Sequence, residues 1–237
     1  MLNYSVFKTS NKDYSLMTDT YICNHFGIAE FLATNYTQLN LASPKRVLDV
    51  GCGALPIGIF LADQHDCIVT GVDLNSIACN CATKNAARYG YEKKVDIINE
   101  NFADYARTYG GPKFDLVVAN PPIDVGVSNQ VVQKYANVTF DTFDDEKYSY
   151  LTNSWHSEDG FDLLDYIFQF STENLIESGC VVIAFCSISC SKDYVISKAK
   201  SYGFLSERVI DGVITPESIG INRYKETIEA TIVQFSR

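Results

Sequence analysis

The sequence predicts a doubly wound α/β fold on a mostly parallel, seven-stranded sheet, preceded by a mainly helical N-terminal segment. Three observations carry that expectation. From Arg46 onward, short apolar runs recur that do not alternate with polar residues, as strands buried on both faces require. Helical stretches lie between these runs, and strand–helix repetition implies right-handed parallel crossovers. The last two runs alternate more than the earlier ones and read as an antiparallel pair that closes the sheet.

Taken in order, residues 1–45 read as the helical N-terminal segment and as a candidate substrate lid. Within it, 18–37 reads as an amphipathic helix: Thr18 or Asp19 caps it, and Ile22, Phe26, Ile28, Phe31 and Leu32 form its apolar stripe. The main domain is 46–237. Its strands are expected at 46–50, 67–72, 95–99, 114–119 and 180–185, with the closing pair at 204–210 and 227–235. Helices are expected at 57–65, 75–89, 160–176 and near 191–202. An insertion of about 123–158 follows the fourth strand.

Composition narrows the function classes. The 237 residues carry 29 acidic and 19 basic side chains, a net charge of −10, and 46% are apolar. That apolar content supports a real core and excludes a disordered chain. The negative balance speaks against gripping nucleic acid through overall charge, though it leaves room for a local basic groove. No stretch approaches the roughly 18 apolar residues of a membrane span. The N-terminus lacks the layout of a signal peptide, so a cytoplasmic protein without a membrane partner is expected. The eight cysteines include no C-x-x-C, and His25, His65 and His156 are dispersed. No metal site is expected from that spacing.

The first strand runs into Asp49-Val50-Gly51-Cys52-Gly53. Glycines at the exit of a first parallel strand allow a sharp turn and let a ligand lie against the main chain. The next helix N-terminus offers unpaired N–H groups. Asp73 ends the second strand twenty residues after Gly53, where a carboxylate can accept from ribose hydroxyls. The dinucleotide pattern G-x-G-x-x-G fails, because Pro56 occupies its third glycine position. The fourth strand, Phe114 to Ala119, must end at Asn120, because Pro121 and Pro122 lack the donors a central strand needs. This leaves the Asn120 amide at the carboxyl edge of the sheet, where ligands of open α/β sheets bind.

The D-x-G-x-G turn, the acidic end of the next strand and the N-P-P together resemble class I S-adenosylmethionine-dependent methyltransferases, a Rossmann-like fold. Within that class they are similar to the small-domain group that includes release-factor glutamine N-methyltransferases. The resemblance implies S-adenosyl-L-methionine as cofactor, contacted by Asp49, Gly51, Gly53, Asp73, Leu74, Asn101, Phe102 and Asn120. It implies Asn120 and Pro121 as catalytic residues, whose side-chain oxygen and backbone carbonyl accept from a substrate –NH2. It places Pro122 and Ile123 against the substrate, and Trp155 joins them as an aromatic residue of the insertion that could line the pocket. Two departures stand out: Leu55 occupies the position of a frequent third glycine, and Ile123 replaces the usual aromatic residue after N-P-P.

Between Ile123 and Asp165 lie nine carboxylates and two lysines, so this stretch holds seven of the ten net negative charges. It reads either as a solvated loop or as an acidic face beside the acceptor. The second reading favours a protein, peptide or small-metabolite nitrogen acceptor. The alternative is an RNA or DNA base N-methyltransferase acting on adenine N6 or guanine N2, with nucleic acid as the partner. A non-catalytic cofactor-binding scaffold is a third reading. The aromatic residues Tyr4, Phe7, Tyr14, Tyr21, Tyr135, Tyr148, Tyr150 and Trp155 are candidate lid residues.

Overall fold

The computed structural model describes residues 3–19, 26–39, 41–120, 162–187, 190–215 and 227–237. Pro121, Pro122, Ile123, Trp155 and most of the acidic stretch lie outside the described residues.

Strands β3 (Arg46–Val50), β4 (Ile68–Asp73), β5 (Val95–Asn99), β6 (Phe114–Ala119), β7 (Leu175–Cys186), β8 (Leu205–Ile214) and β9 (Ile228–Ser236) form one seven-stranded sheet. Its spatial order is β5-β4-β3-β6-β7-β9-β8. Pairing is parallel from β5 through β7, and β9 runs antiparallel to both of its neighbours. The seven-stranded, mostly parallel sheet expected from the sequence is thus present, with every strand within a few residues of its expected place. Only β7 extends much further, starting five residues early.

Helices cover both faces. On one side, α1 (Gly27–Asn35), α2 (Pro56–His65) and α3 (Ser76–Arg88) share a core with Val47, Val69, Leu116 and Val182. On the other, α4 (Phe102–Thr108), α5 (Leu163–Asn174) and α6 (Lys192–Ser201) enclose Leu48, Val117, Val181 and Phe235. Adjacent strand residues thus serve opposite cores, which is why the runs read as continuously apolar. Among the described residues no helix is long and apolar enough to cross a membrane.

The N-terminal segment departs from expectation. Instead of being mainly helical, it opens with an antiparallel hairpin, β1 (Asn3–Lys8) and β2 (Asp13–Thr18), and α1 starts only at Gly27. The expected helix start near Thr18 is occupied by strand. The period of two is visible in burial: Tyr14, Leu16 and Thr18 are buried, and the residues between them are not. Phe7 and Tyr14, expected as lid residues, are fully buried and stack at 5.7 Å between centroids. They are core because the hairpin's inner face is pressed onto the helical layer, where Tyr14 also meets Tyr89 edge-on.

Candidate cofactor and acceptor site

Strand β3 is the switch point of the sheet: the chain proceeds from it to β4 and β5 on one side and to β6 and β7 on the other. The crevice at the carboxyl ends of β3 and β6 is where ligands of such sheets bind. Val50 lies opposite Ala119 across this seam. Gly51 and Asn120, the next residue of each chain, therefore leave the sheet side by side. Asn120 is half-buried.

The glycine turn has a defined shape. Gly51 and Gly53 have φ of +68° and +54°, and a Cβ built on either would meet nothing within 4 Å. Their conformation favours glycine, and the space beside them lets a ligand reach the main chain. The N–H groups of Gly51 and Cys52 bond to Val72 O at 2.8 and 3.2 Å, joining the turn to β4. Asp73 completes the link: Oδ2 accepts from Gly53 N at 2.8 Å and Oδ1 from Asn75 N at 2.8 Å. Burial pushes this carboxyl above the ordinary carboxylate range, against the pull of those two N–H donors. Each oxygen has a second lone pair for a hydroxyl.

Leu55 is the departure from a third glycine, and the structure shows how it is accommodated. It adopts the left-handed conformation, φ +70°, with a fully buried side chain. A Cβ on Gly58 would come within 2.5 Å of Leu55 Cδ1 and 3.1 Å of Val69 Cγ1. Gly58 is therefore what makes room for a leucine at this turn. Pro56 then opens α2 at the helix position where its missing N–H is harmless. Asp49, buried beneath the turn, accepts from Gly58 N at 3.0 Å. Burial raises its carboxyl to about 7, against the Gly58 N–H and with help from the nearby Asp73 charge.

The remaining expected cofactor residues fall along the same edge. Leu74, just past β4, exposes 40% of its surface and offers an apolar contact. Asn101 caps α4, its Oδ1 accepting from Ala103 N at 2.9 Å. Phe102, expected to contact the cofactor, turns its ring inward, stacked on Tyr105 and edge-on to Phe170. The apolar demand of the second core claims it, since α4 buries that face.

Three asparagines that the sequence reading passed over shape this edge. Asn75 caps α3 through Ile77 N, and Asn99 Nδ2 donates to the carbonyls of Asp73 and Leu74 at 3.0 and 2.9 Å. Asn85 reaches the turn itself at Ala54 O, 2.9 Å away. The first followed from its place before a helix; the other two needed the tertiary structure. A cleft of about 520 Å³ lined by Thr9, Tyr36, Phe60 and His65 lies elsewhere, by the hairpin turn and the end of α2. None of the expected site residues lines it.

Downstream of the acidic stretch, Asp162 and Asp165 form a capping box at the start of α5. Both are buried, and Lys198 binds Asp165 at 2.8 Å and Asp162 at 3.4 Å. Tyr194 and Tyr202 also donate to this pair. Two of the nine carboxylates counted toward an acidic acceptor face are therefore internal and share one lysine.

Residues 29–141 match the sequence model of the methyltransferase small domain family. Among curated proteins, the chain is 36% identical over 84 residues to a tRNA1(Val) (adenine(37)-N6)-methyltransferase of Aeromonas salmonicida, covering 35% of this chain and 34% of that protein. It is 38% identical over 80 residues to the protein of the same name from Mannheimia succiniciproducens, covering 33% of each. The chain thus spans about a third of the length of these relatives. Among solved structures, a ribosomal protein L11 methylase of Lactobacillus delbrueckii superposes with a TM-score of 0.54 at 17% identity, covering 89% of this chain and 78% of that one. A methyltransferase of Thiobacillus denitrificans in complex with S-adenosyl-L-homocysteine gives 0.54 at 14% identity, over 87% and 90%. At such identities these two show the fold alone. The chain has the fold of Rossmann-like methyltransferases, and its residues 29–141 are similar to the methyltransferase small domain.

Proposed function

We propose that this protein is an S-adenosylmethionine-dependent N-methyltransferase whose acceptor is an adenine amino group in RNA. The observation that carries the transferase reading is the seam itself: an open glycine turn pinned by Asp73 lies beside Asn120. The residues present suit the cofactor. Bare main chain at Gly51 and Gly53 faces open space, and Asp73 and the exposed Leu74 side chain follow at the next strand end. The chemistry that S-adenosylmethionine supplies is an electrophilic methyl group on a sulfonium. Asp73 holds the turn in shape and accepts from the ribose. The Asn120 side-chain oxygen accepts from the acceptor –NH2, keeping the nitrogen lone pair directed at the methyl. Such positioning supplies effective molarities on the order of 10⁵ M or more.

The curated relatives named above support the choice of acceptor, and they reverse the order expected from composition. The argument for a protein or small-molecule acceptor rested on a strongly acidic face. Part of that acidity is spent inside the fold on Lys198. The test is transfer of labelled methyl from S-adenosylmethionine to separated RNA, protein and small-molecule fractions. N6-methyladenosine in digested RNA, reduced at least about 100-fold in Asn120→Ala, is the expected result. Label confined to the protein or small-molecule fraction overturns the RNA reading.

A further inference from the structure

We propose that the outer face of the N-terminal hairpin and the last turns of α3 form a docking surface for a single-stranded RNA loop, with Tyr4 and Arg88 as its stacking platform. This rests on the RNA acceptor reading. The hairpin's inner face is core, whereas its outer face carries Tyr4 and Val6, which are 51% and 52% exposed. The Arg88 guanidinium lies 4.9 Å from the centroid of the Tyr4 ring. An exposed aromatic ring paired with a guanidinium is a flat cationic surface, and unpaired bases stack on such surfaces.

Charge singles out the same face. Residues 3–19 and 76–94, which pack together, carry six basic and three acidic side chains in a chain of net charge −10. Lys12 and Lys94 are paired with Asp63 and Asp66. Among the described residues, Lys8, Lys84, Arg88 and Lys93 make no ion pair. Lys84 precedes Arg88 by one helical turn, so both serve the same side of α3. A polyanion is the complementary partner, and the exposed ring selects one that carries bases.

The surface adjoins the site. Tyr4 lies opposite Met17 in the hairpin, and Met17 is bonded to Asn85 of α3, which also holds Ala54 of the glycine turn. Tyr4 is thus linked to the glycine turn through Met17 and Asn85.

The experiment measures anisotropy of a fluorescein-labelled RNA stem–loop with an adenine-containing loop, together with RNA methylation and S-adenosylmethionine affinity. Tyr4→Ala is expected to weaken RNA binding roughly 5- to 100-fold, the range one stacked base supplies. Tyr4→Phe keeps wild-type affinity. Arg88→Gln weakens binding and lowers the slope of log Kd against log salt by about 1. Cofactor affinity and melting temperature stay at wild-type values in all three. If the protein methylates RNA and Tyr4→Ala leaves KM for RNA unchanged, the platform is wrong and the acceptor reading stands. If the wild-type protein neither binds nor methylates RNA, both fall. Displacement of the stem–loop by poly-glutamate as readily as by unlabelled RNA also overturns the platform.

Discussion

The side-chain amide of Asn85 donates to Ala54 O at 2.9 Å, tying the middle of α3 to the glycine turn. The same amide donates to Met17 O at 3.0 Å and accepts from Met17 N at 2.6 Å. One fully buried side chain thus serves as a peptide group: it completes the free edge of β2 and anchors the turn. Tyr89, one turn on, does the same for Ser15, its hydroxyl accepting from Ser15 N at 2.7 Å.

Replacing Asn85 by alanine leaves three backbone groups without their partner. We expect a loss of about 2–3 kcal/mol, seen as a melting temperature lower by about 4–10 °C. Asn85→Asp keeps the bond from Met17 N but turns a carboxylate oxygen toward two carbonyls, so it recovers none of this. Both variants should weaken S-adenosylmethionine binding, measured by calorimetry. Unchanged cofactor affinity in Asn85→Ala would separate the turn from this link.

Gly58→Ala places a methyl against Leu55 and Val69 and should cost about 1–3 kcal/mol by overpacking. Leu55→Ala empties buried volume and should cost about 3 kcal/mol. Together they should cost less than the sum, by at least about 1 kcal/mol, because the alanine at 58 fills space vacated at 55. Urea unfolding of the four proteins measures the coupling, and strict additivity would contradict the packing described.

Asp49 holds its proton up to about pH 7 in the folded chain, against about 3.9 when unfolded. Between those values the native state binds more protons than the unfolded state. This group's contribution is therefore full below about pH 4 and is lost as pH rises through 7. Stability should fall from pH 5 to pH 8, and Asp49→Asn should flatten that fall. Urea midpoints at the two pH values test this; a wild-type slope retained in Asp49→Asn would refute it.

Lys198 bridges two buried carboxylates at the head of α5. Burial alone would raise Asp165, but the hydrogen bond from Lys198, with those from Asp162 N and Tyr202, holds it below the ordinary carboxylate range. Lys198→Met should cost about 2–4 kcal/mol, and Asp165→Asn in that background should return part of it. Thermal unfolding at neutral pH reads both.

The β3–β6 seam was legible in the sequence because each of its signals is local. A glycine with positive φ, a proline without a donor and an apolar run buried on both faces declare themselves to their immediate neighbours. Gly51, Gly53, Asp73 and Asn120 accordingly arrive together at one edge. The hairpin was not legible. Its two short strands have a free edge that is satisfied by Asn85 and Tyr89, some seventy residues away. The inward turn of Phe102 and the burial of the Asp162–Asp165 pair were not legible for a related reason: adjacency in sequence to a motif does not say which way a side chain turns.

By itself, then, the sequence determined the strand order of chemistry along the chain: glycine turn, acidic strand end, then asparagine before two prolines. Tertiary structure alone decided what the charges and aromatic residues mean. Lys198 removes Asp162 and Asp165 from the surface, and core packing takes Phe7, Tyr14 and Phe102. Tyr4 is left outside with Arg88. The physical reason is that backbone geometry is a local property, whereas burial and ion pairing depend on which distant segment arrives alongside.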